Sequence, residues 1–153
     1  MDQEADLRFL REAIALSRAA AQHGNEPFGA VLVKDGQIVM TNENRIFTEH
    51  DPSFHAELGL LRRFSAETGI TDLSDYTLYS SCEPCFMCSG AMVWFRLGRL
   101  VYAASNRDLN ACFGRPGTDC SEQVFSQSSH RPTVTSGLCA EEATEVLRDY
   151  FCR

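Results

Sequence analysis

The sequence lacks several features that mark fibrous, disordered, membrane or secreted proteins. Five prolines and ten glycines in 153 residues are too few for a collagen-like chain or a disordered chain dominated by these residues. No apolar stretch approaches the roughly 18 residues of a membrane-spanning helix. The first 20 residues are charged and amphipathic, without the apolar core of a signal peptide. We therefore expect a globular, cytoplasmic protein that does not associate with membranes.

Basic residues are also scarce. Lysine and arginine together number 14, against 21 aspartates and glutamates, which gives a formal net charge of −7. A protein that binds nucleic-acid phosphates usually carries clustered positive charge. The segment 114–131, predicted to be a long polar loop, holds two arginines and no lysine. A local basic groove stays compatible with this composition, but nucleic acid is not the expected partner.

Seven cysteines are an odd number, so they cannot all pair within the chain. In a reducing compartment, a tight cysteine cluster suggests metal binding or catalysis before it suggests disulfides.

Strand and helix patterns alternate along the chain, and no linker or repeat divides it, so residues 1–153 are interpreted as one domain. Helices are predicted at 2–22, 53–68, 85–95, 108–113 and 140–151, and strands at 28–33, 37–41, 76–81, 99–104 and 133–137. This order predicts the α/β class: a three-layer α/β/α sandwich around a mixed five-stranded sheet. The first two strands form a hairpin, so part of the sheet is antiparallel.

Two short motifs carry the chemistry. His55-Ala56-Glu57 and Pro84-Cys85-Phe86-Met87-Cys88 each open a predicted helix. Cys85 and Cys88 are three positions apart, so their thiolates point from one helix face. Two thiolates and one imidazole make a three-ligand zinc site whose fourth tetrahedral position stays open for water, as in catalytic sites. We therefore predict that His55, Cys85 and Cys88 bind Zn²⁺.

Cys82 and Glu57 are two further residues, in or close to these motifs in the sequence, that could bind the metal. Cys82 has the same spacing to Cys85, but it precedes Pro84 at the end of a predicted strand, so it is excluded as a ligand. Glu57 lies two residues after His55, about 200° around an ideal helix, and is not expected to bind the metal. We predict instead that it takes a proton from the water at the open position and delivers it to a leaving group.

Each motif alone has an ordinary explanation. The His-Ala-Glu tripeptide is typical of many helix starts, and a C-x-x-C pair also suits a redox site or a closed structural metal site. A closed site would need a second Cys/His pair of similar spacing, and the remaining cysteines and histidines provide none. A redox pair would leave His55 and Glu57 without a role, so the combination favours catalytic zinc.

The pattern H-x-E with P-C-x-x-C resembles that of the zinc nucleobase deaminases. The resemblance extends to Pro27-Phe28-Gly29-Ala30-Val31, to Asn44-Arg45 and to residues 81–91. It points to the cytidine-deaminase-like superfamily, and within it to the branch of guanine deaminases and tRNA adenosine deaminases. It implies zinc ligation by His55, Cys85 and Cys88, with Glu57 as the proton shuttle.

The same resemblance implies substrate contacts for four further residues: Asn44, Phe28, Trp94 and Phe113. Asn44 matches an asparagine that hydrogen-bonds the base, and Phe28 matches an aromatic wall of the pocket. Core packing is the alternative for Phe28 and Trp94, and local backbone capping is the alternative for Asn44.

The implied activity is hydrolytic deamination of a free aminated nucleobase or nucleoside, a guanine-like purine or an aminopyrimidine such as cytosine or isocytosine. Bacterial guanine deaminases carry acidic residues after the phenylalanine that matches Phe113, whereas this sequence has Gly114-Arg115, which weakens the case for guanine itself. One alternative is a tRNA adenosine deaminase, which the acidic composition disfavours. Another is a silent zinc-binding homologue, which the presence of Glu57 disfavours.

A homodimer is also predicted from the resemblance, since relatives pack the helices around the zinc site against a second subunit. Met87, Met92, Trp94 and Phe95 supply apolar residues near the C-x-x-C helix, with packing inside the chain's own core as the alternative. A C-terminal segment often closes the pocket in these relatives, and here the sequence ends soon after Tyr150-Phe151.

Overall fold

The computed structural model describes residues 2–152, which form six helices and one five-stranded sheet. The helices are α1 (Gln3–Gln22), α2 (Ala56–Thr68), α3 (Phe86–Trp94), α4 (Asn106–Ala111), α5 (Cys120–Phe125) and α6 (Ala140–Phe151). The strands are β1 (Gly29–Lys34), β2 (Gln37–Glu43), β3 (Thr77–Cys82), β4 (Arg99–Ala104) and β5 (Thr133–Thr135).

The sheet is mixed and has the strand order β2-β1-β3-β4-β5. Strand β1 pairs antiparallel with both β2 and β3, whereas β3, β4 and β5 run parallel. The predicted mixed five-stranded sheet is confirmed. Parallel β3 and β4 end on the same side, which places the loops that follow them next to each other.

Side chains alternate between the two faces of the sheet, as a strand requires. Val31, Tyr79 and Val101 face a core shared with α1 and α6. Leu32, Leu78 and Leu100 belong to the opposite core, which α2, α3 and α5 cover. The predicted three-layer sandwich is therefore confirmed.

Close backbone packing at Gly29 fixes the start of β1 against α1. A Cβ atom there would lie 2.3 Å from the carbonyl oxygen of Ala13, so only glycine fits. The Gly29 N–H donates to Ser81 Oγ at 3.0 Å. The neighbouring residue Phe28 is thereby held in a defined position beside the end of β3.

Three details of the sequence prediction are corrected. The predicted loop 114–131 contains helix α5, whose Cys120 and Phe125 are buried beneath a polar surface. Helix α4 begins earlier than predicted because Ser105 and Asp108 form a capping box. Met92, predicted to contribute to a dimer contact with core packing as the alternative, is fully buried in the chain's own core.

No helix within residues 2–152 is both long and apolar enough to span a membrane.

Candidate active site

The two predicted motifs meet where helices α2 and α3 begin. His55 is the N-cap residue of α2 and Cys85 is the N-cap residue of α3, both in extended backbone conformation. Cys88 lies in the first turn of α3. The free N–H groups and the dipole at a helix N-terminus favour negative charge, so the N-cap position of Cys85 favours its thiolate.

The side chains of His55, Cys85 and Cys88 form a potential metal-binding group, with ligand atoms within 4.8 Å of one another. The Sγ atom of Cys85 lies 3.6 Å from His55 Nδ1, and that of Cys88 lies 3.7 Å from it. It is the one such group found among residues 2–152. One imidazole nitrogen and two sulfurs are a donor set that zinc prefers, so these residues fit a zinc ion.

The pKa values of Cys85 and Cys82 are shifted in opposite directions. The hydrogen bond from Cys88 lowers the pKa of Cys85 to about 4, and the same contact, followed by burial, raises the pKa of Cys88. The hydrogen bond to Cys85 raises the pKa of His55. Burial raises the pKa of Cys82 well above its ordinary value. The thiolate is the form that binds metals, and Cys85 is held in that form. Cys82 is excluded by position, because it does not belong to the group of ligand atoms that lie within 4.8 Å of one another.

Glu57 lies in the first turn of α2 and is only 6% exposed. Burial raises the pKa of its carboxyl to about 7, and the nearby charge of Cys85 acts in the same direction. A carboxyl group that titrates near neutral pH is suited both to accept and to release a proton.

A cavity of about 280 Å³ opens beside this group. It is lined by Glu26, Phe28, Asn44, His55, Glu57, Cys82, Glu83, Cys85, Asn106, Leu109, Phe113 and Phe151. The structure thus places three of the four predicted substrate residues, Phe28, Asn44 and Phe113, in one cavity with Glu57.

Asn44 both caps the local backbone and faces the cavity. Its side-chain Oδ1 accepts the N–H of Ile46 at 3.1 Å, and its own backbone N–H donates to the carbonyl oxygen of Phe28 at 3.0 Å. The residue is 1% exposed. With Oδ1 engaged, the amino group of Asn44 has no hydrogen bond to the chain between residues 2 and 152 and is left for a ligand.

Three phenylalanines form the aromatic side of the cavity. Phe151 at the end of α6 packs against Phe113 with ring centroids 5.0 Å apart and against Phe28 at 6.2 Å. The C-terminal helix therefore contributes to the cavity wall, a point that the sequence left undecided.

Trp94 does not line the cavity. It is the last residue of α3 and is 86% exposed. Within one chain, the structure gives it neither the predicted substrate contact nor the alternative role in core packing.

Sequence reasoning missed five of the lining residues: Glu26, Glu83, Asn106, Leu109 and Phe151. Glu83 stands inside the second motif, and Glu26 directly precedes Pro27-Phe28, so position next to a motif was the available signal. Burial raises the pKa of Glu26, with the charge of His55 opposing it.

The comparisons with known proteins agree with this geometry. The family model described as "cytidine and deoxycytidylate deaminase zinc-binding region" matches residues 3–104. A tRNA-specific adenosine deaminase of Agrobacterium fabrum is 34% identical over 145 residues, covering 94% of this chain and 91% of the relative. A guanine deaminase of Bacillus subtilis is 43% identical over 101 residues, covering 65% of each chain.

A longer relative carries a similar region. The tRNA(Ile)-lysidine synthase of Deinococcus radiodurans is 40% identical over 141 residues, which is 92% of this chain but 23% of that protein. The chain thus spans about a quarter of the length of this relative.

Solved structures show the same fold. A tRNA deaminase that performs A-to-I editing at the wobble position of transfer RNA superimposes with a TM-score of 0.80 at 32% identity, covering 91% of this chain and 98% of that one. A guanine deaminase from Nitrosomonas europaea gives a TM-score of 0.81 at 27% identity, covering 96% and 85%. With a matching family model over most of its length, the chain belongs to the cytidine and deoxycytidylate deaminase family and carries the family's zinc-binding region.

Proposed function

We propose that the chain is a zinc-dependent hydrolytic deaminase of a free aminated nucleobase or nucleoside. The observation that supports this most directly is that one small cavity is lined by two members of the metal-binding group, by the buried carboxyl of Glu57, and by Asn44 and Phe28. The two members are His55 and Cys85. Its volume of about 280 Å³ is just below the range of drug-sized ligand pockets, which run from about 300 to 1,000 Å³. A single heterocyclic base is the kind of ligand that such a cavity admits.

In the proposed reaction, His55, Cys85 and Cys88 hold the zinc ion. When bound there, zinc supplies a Lewis acid that lowers the pKa of water to about 7. Glu57 takes one proton from the attacking water and delivers it to the ring nitrogen beside the amino-bearing carbon. It then takes the remaining proton of the added hydroxyl, as the carbonyl forms, and gives it to the departing amine. The C–N bond is broken, a carbonyl is formed, one water is consumed and ammonia is released.

Asn44 and Phe28 orient the base. The amino group of Asn44 donates to a carbonyl oxygen or ring nitrogen at the edge of the base, and the ring of Phe28 supplies an apolar face.

The charges around the cavity support a small substrate rather than RNA. Among residues 2–152, its lining includes three glutamates and no lysine or arginine. A polynucleotide would need several basic contacts for its phosphates. Both guanine-like purines and aminopyrimidines satisfy the remaining contacts.

A tRNA adenosine deaminase is the second candidate. It is favoured by the relative from Agrobacterium fabrum, whose similarity covers 94% of this chain.

A screen for ammonia release separates these candidates. The zinc-loaded protein is incubated with aminated bases, their nucleosides and an anticodon stem-loop. Release from a free base or nucleoside supports the proposal. Efficient deamination of the stem-loop with no release from any base or nucleoside would replace it with the second candidate.

A homodimer is part of the proposal. Helix α3, which carries two of the three metal-binding residues, exposes Trp94 by 86%, Phe86 by 54% and Met87 by 39%. Clustered exposed apolar side chains mark interaction sites. Light scattering at micromolar concentration should give twice the mass of one chain, and a monomer mass would contradict the dimer.

A further inference from the structure

Three carboxylates line the cavity, and two of them already have a role. Glu57 is the proposed proton shuttle. Glu83 accepts the N–H of Asn106 at 2.9 Å, the N–H of Ser121 at 3.1 Å and the hydroxyl of Ser121 at 2.6 Å. Glu26 is different, because its half-buried carboxylate accepts no hydrogen bond from the rest of residues 2–152.

The backbone on both sides holds Glu26 in place. On one side, Asn25 is 2% exposed, and its Oδ1 accepts the N–H groups of Phe47 at 3.0 Å and Thr48 at 3.1 Å. On the other side, Pro27 is buried, and the N–H of Phe28 donates to the carbonyl oxygen of Glu26 at 2.9 Å. The carboxylate is therefore presented to the cavity by a fixed segment and not by a free loop.

Glu26 also lies close in the chain to the residues that orient the base. Phe28 follows it by two positions, and the backbone N–H of Asn44 binds the carbonyl of Phe28 at 3.0 Å. The cavity thus offers a donor, the amino group of Asn44, and an acceptor, the carboxylate of Glu26, from two adjoining segments. A ligand that satisfies both presents one acceptor and one N–H group along its edge.

Free bases and nucleosides differ in whether they can donate a hydrogen bond to the Glu26 carboxylate. Every free base carries an N–H at the ring nitrogen that bears the sugar in the nucleoside. A hydrogen bond from N–H to a carboxylate is charge-assisted and stronger than a neutral one. A nucleoside lacks this N–H, so it would leave the Glu26 carboxylate desolvated and unpaired.

We infer that Glu26 is a specificity residue that selects free bases over nucleosides, nucleotides and RNA, by accepting the ring N–H that only a free base has. This inference rests on the proposed function and narrows its substrate class.

The test compares three ligands that differ only at that nitrogen: a base, the same base methylated there, and its nucleoside. Guanine and cytosine are the parent bases. kcat/KM is measured by ammonia release for wild type, Glu26→Gln and Glu26→Ala. The dissociation constants of the same ligands are measured by calorimetry, so that the result does not depend on turnover. Glu49→Gln, which removes one carboxylate from an exposed position outside the cavity lining, is the matched control.

We expect Glu26→Ala to lower kcat/KM and affinity for the free base by roughly 10- to 100-fold, and Glu26→Gln to lower them less, because the amide oxygen still accepts. The methylated base and the nucleoside should bind wild type weakly and lose nothing further on either substitution. Glu49→Gln should behave like wild type.

Three results would overturn the inference, and they differ in what they leave standing. If free bases are deaminated and Glu26→Ala handles a base and its methylated form in the wild-type ratio, the proposed function stands and the role of Glu26 is refuted. If wild type deaminates nucleosides but not free bases, the inference about Glu26 fails while the proposed function stands. If wild type deaminates only the stem-loop, both the inference and the proposed function fail.

Discussion

Replacing Glu57 by glutamine tests the proposed chemistry most directly. The amide has the shape of the carboxyl group but cannot take up the proton of the attacking water. Glu57 is not a member of the group formed by His55, Cys85 and Cys88, so the zinc content of Glu57→Gln should equal that of wild type. The substitution therefore separates proton transfer from metal binding.

The expected loss of turnover follows from the role of Glu57. Acid–base residues contribute about 10²- to 10⁴-fold to rate, which is about 2.7–5.4 kcal/mol of activation free energy at 1.36 kcal/mol per factor of ten. The free energy of unfolding of Glu57→Gln should be equal to or higher than that of wild type. Glu57 is 6% exposed, and a buried charge costs more free energy than a neutral amide of the same shape.

Three measurements on one preparation decide the outcome: kcat by ammonia release, zinc by atomic absorption, and Tm by differential scanning fluorimetry. Glu122→Gln, at an exposed position of α5, is the control for removing one carboxylate. Turnover close to wild type in Glu57→Gln, with full zinc, would refute the role of Glu57 as proton shuttle.

Three further predictions concern the metal, the base and the fold. Cys85→Ala should remove zinc while Cys82→Ala retains it, and the reverse pattern in a zinc assay would show that the ligand assignment is wrong. Asn44→Ala should lower kcat/KM roughly 5- to 150-fold, which corresponds to a loss of about 1–3 kcal/mol of transition-state stabilisation, because a polar atom of the bound base is left unpaired. An unchanged kcat/KM would exclude the contact. Asp6→Asn should cost about 3–5 kcal/mol, since it breaks a buried pair in which Arg99 binds both Asp6 oxygens at 2.9 and 2.7 Å. Hydrogen bonding from Arg99 lowers the pKa of Asp6 below its ordinary value of 3.8, so this stabilisation is present above that pH and is lost as the pH falls through the folded-state pKa. Urea unfolding of wild type and Asp6→Asn at decreasing pH should show their difference shrinking in acid, and a constant difference would contradict the assignment.

The order of the elements was predictable because long, periodic segments dominate the chain. Helix α1 shows its buried face as a helical stripe, and β1 as a continuous apolar run, so both were located to within two residues. The metal-binding group was predictable for a similar reason. The spacing of Cys85 and Cys88 within one helix turn is a local property, and it fixes their relative positions before any tertiary contact forms.

The walls of the cavity were not predictable in the same way. Phe28, Phe113 and Phe151 come from three distant segments. They are brought together at the end of α6, where the ring of Phe151 contacts both of the others. Helix α5 is six residues long, too short to show a helical period, and its polar composition was typical of a loop. Glu26 carries no spacing signal, since its importance lies in facing a cavity that the local sequence does not define.

Glu83 shows how these distant segments support the local chemistry. In the sequence it is one letter of the cysteine motif, but in the structure its buried carboxylate accepts three hydrogen bonds from Asn106 and Ser121. The next residue, Pro84, accepts at its carbonyl oxygen from the thiol of Cys120 at 3.2 Å. Contacts from α4 and α5 therefore fix the segment that delivers Cys85 to the metal-binding group. Cys120 is accounted for by this hydrogen bond and needs no metal. Because a buried, fully paired carboxylate leaves several polar groups unsatisfied when one partner is lost, the position of Cys85 depends on residues far beyond the motif that contains it.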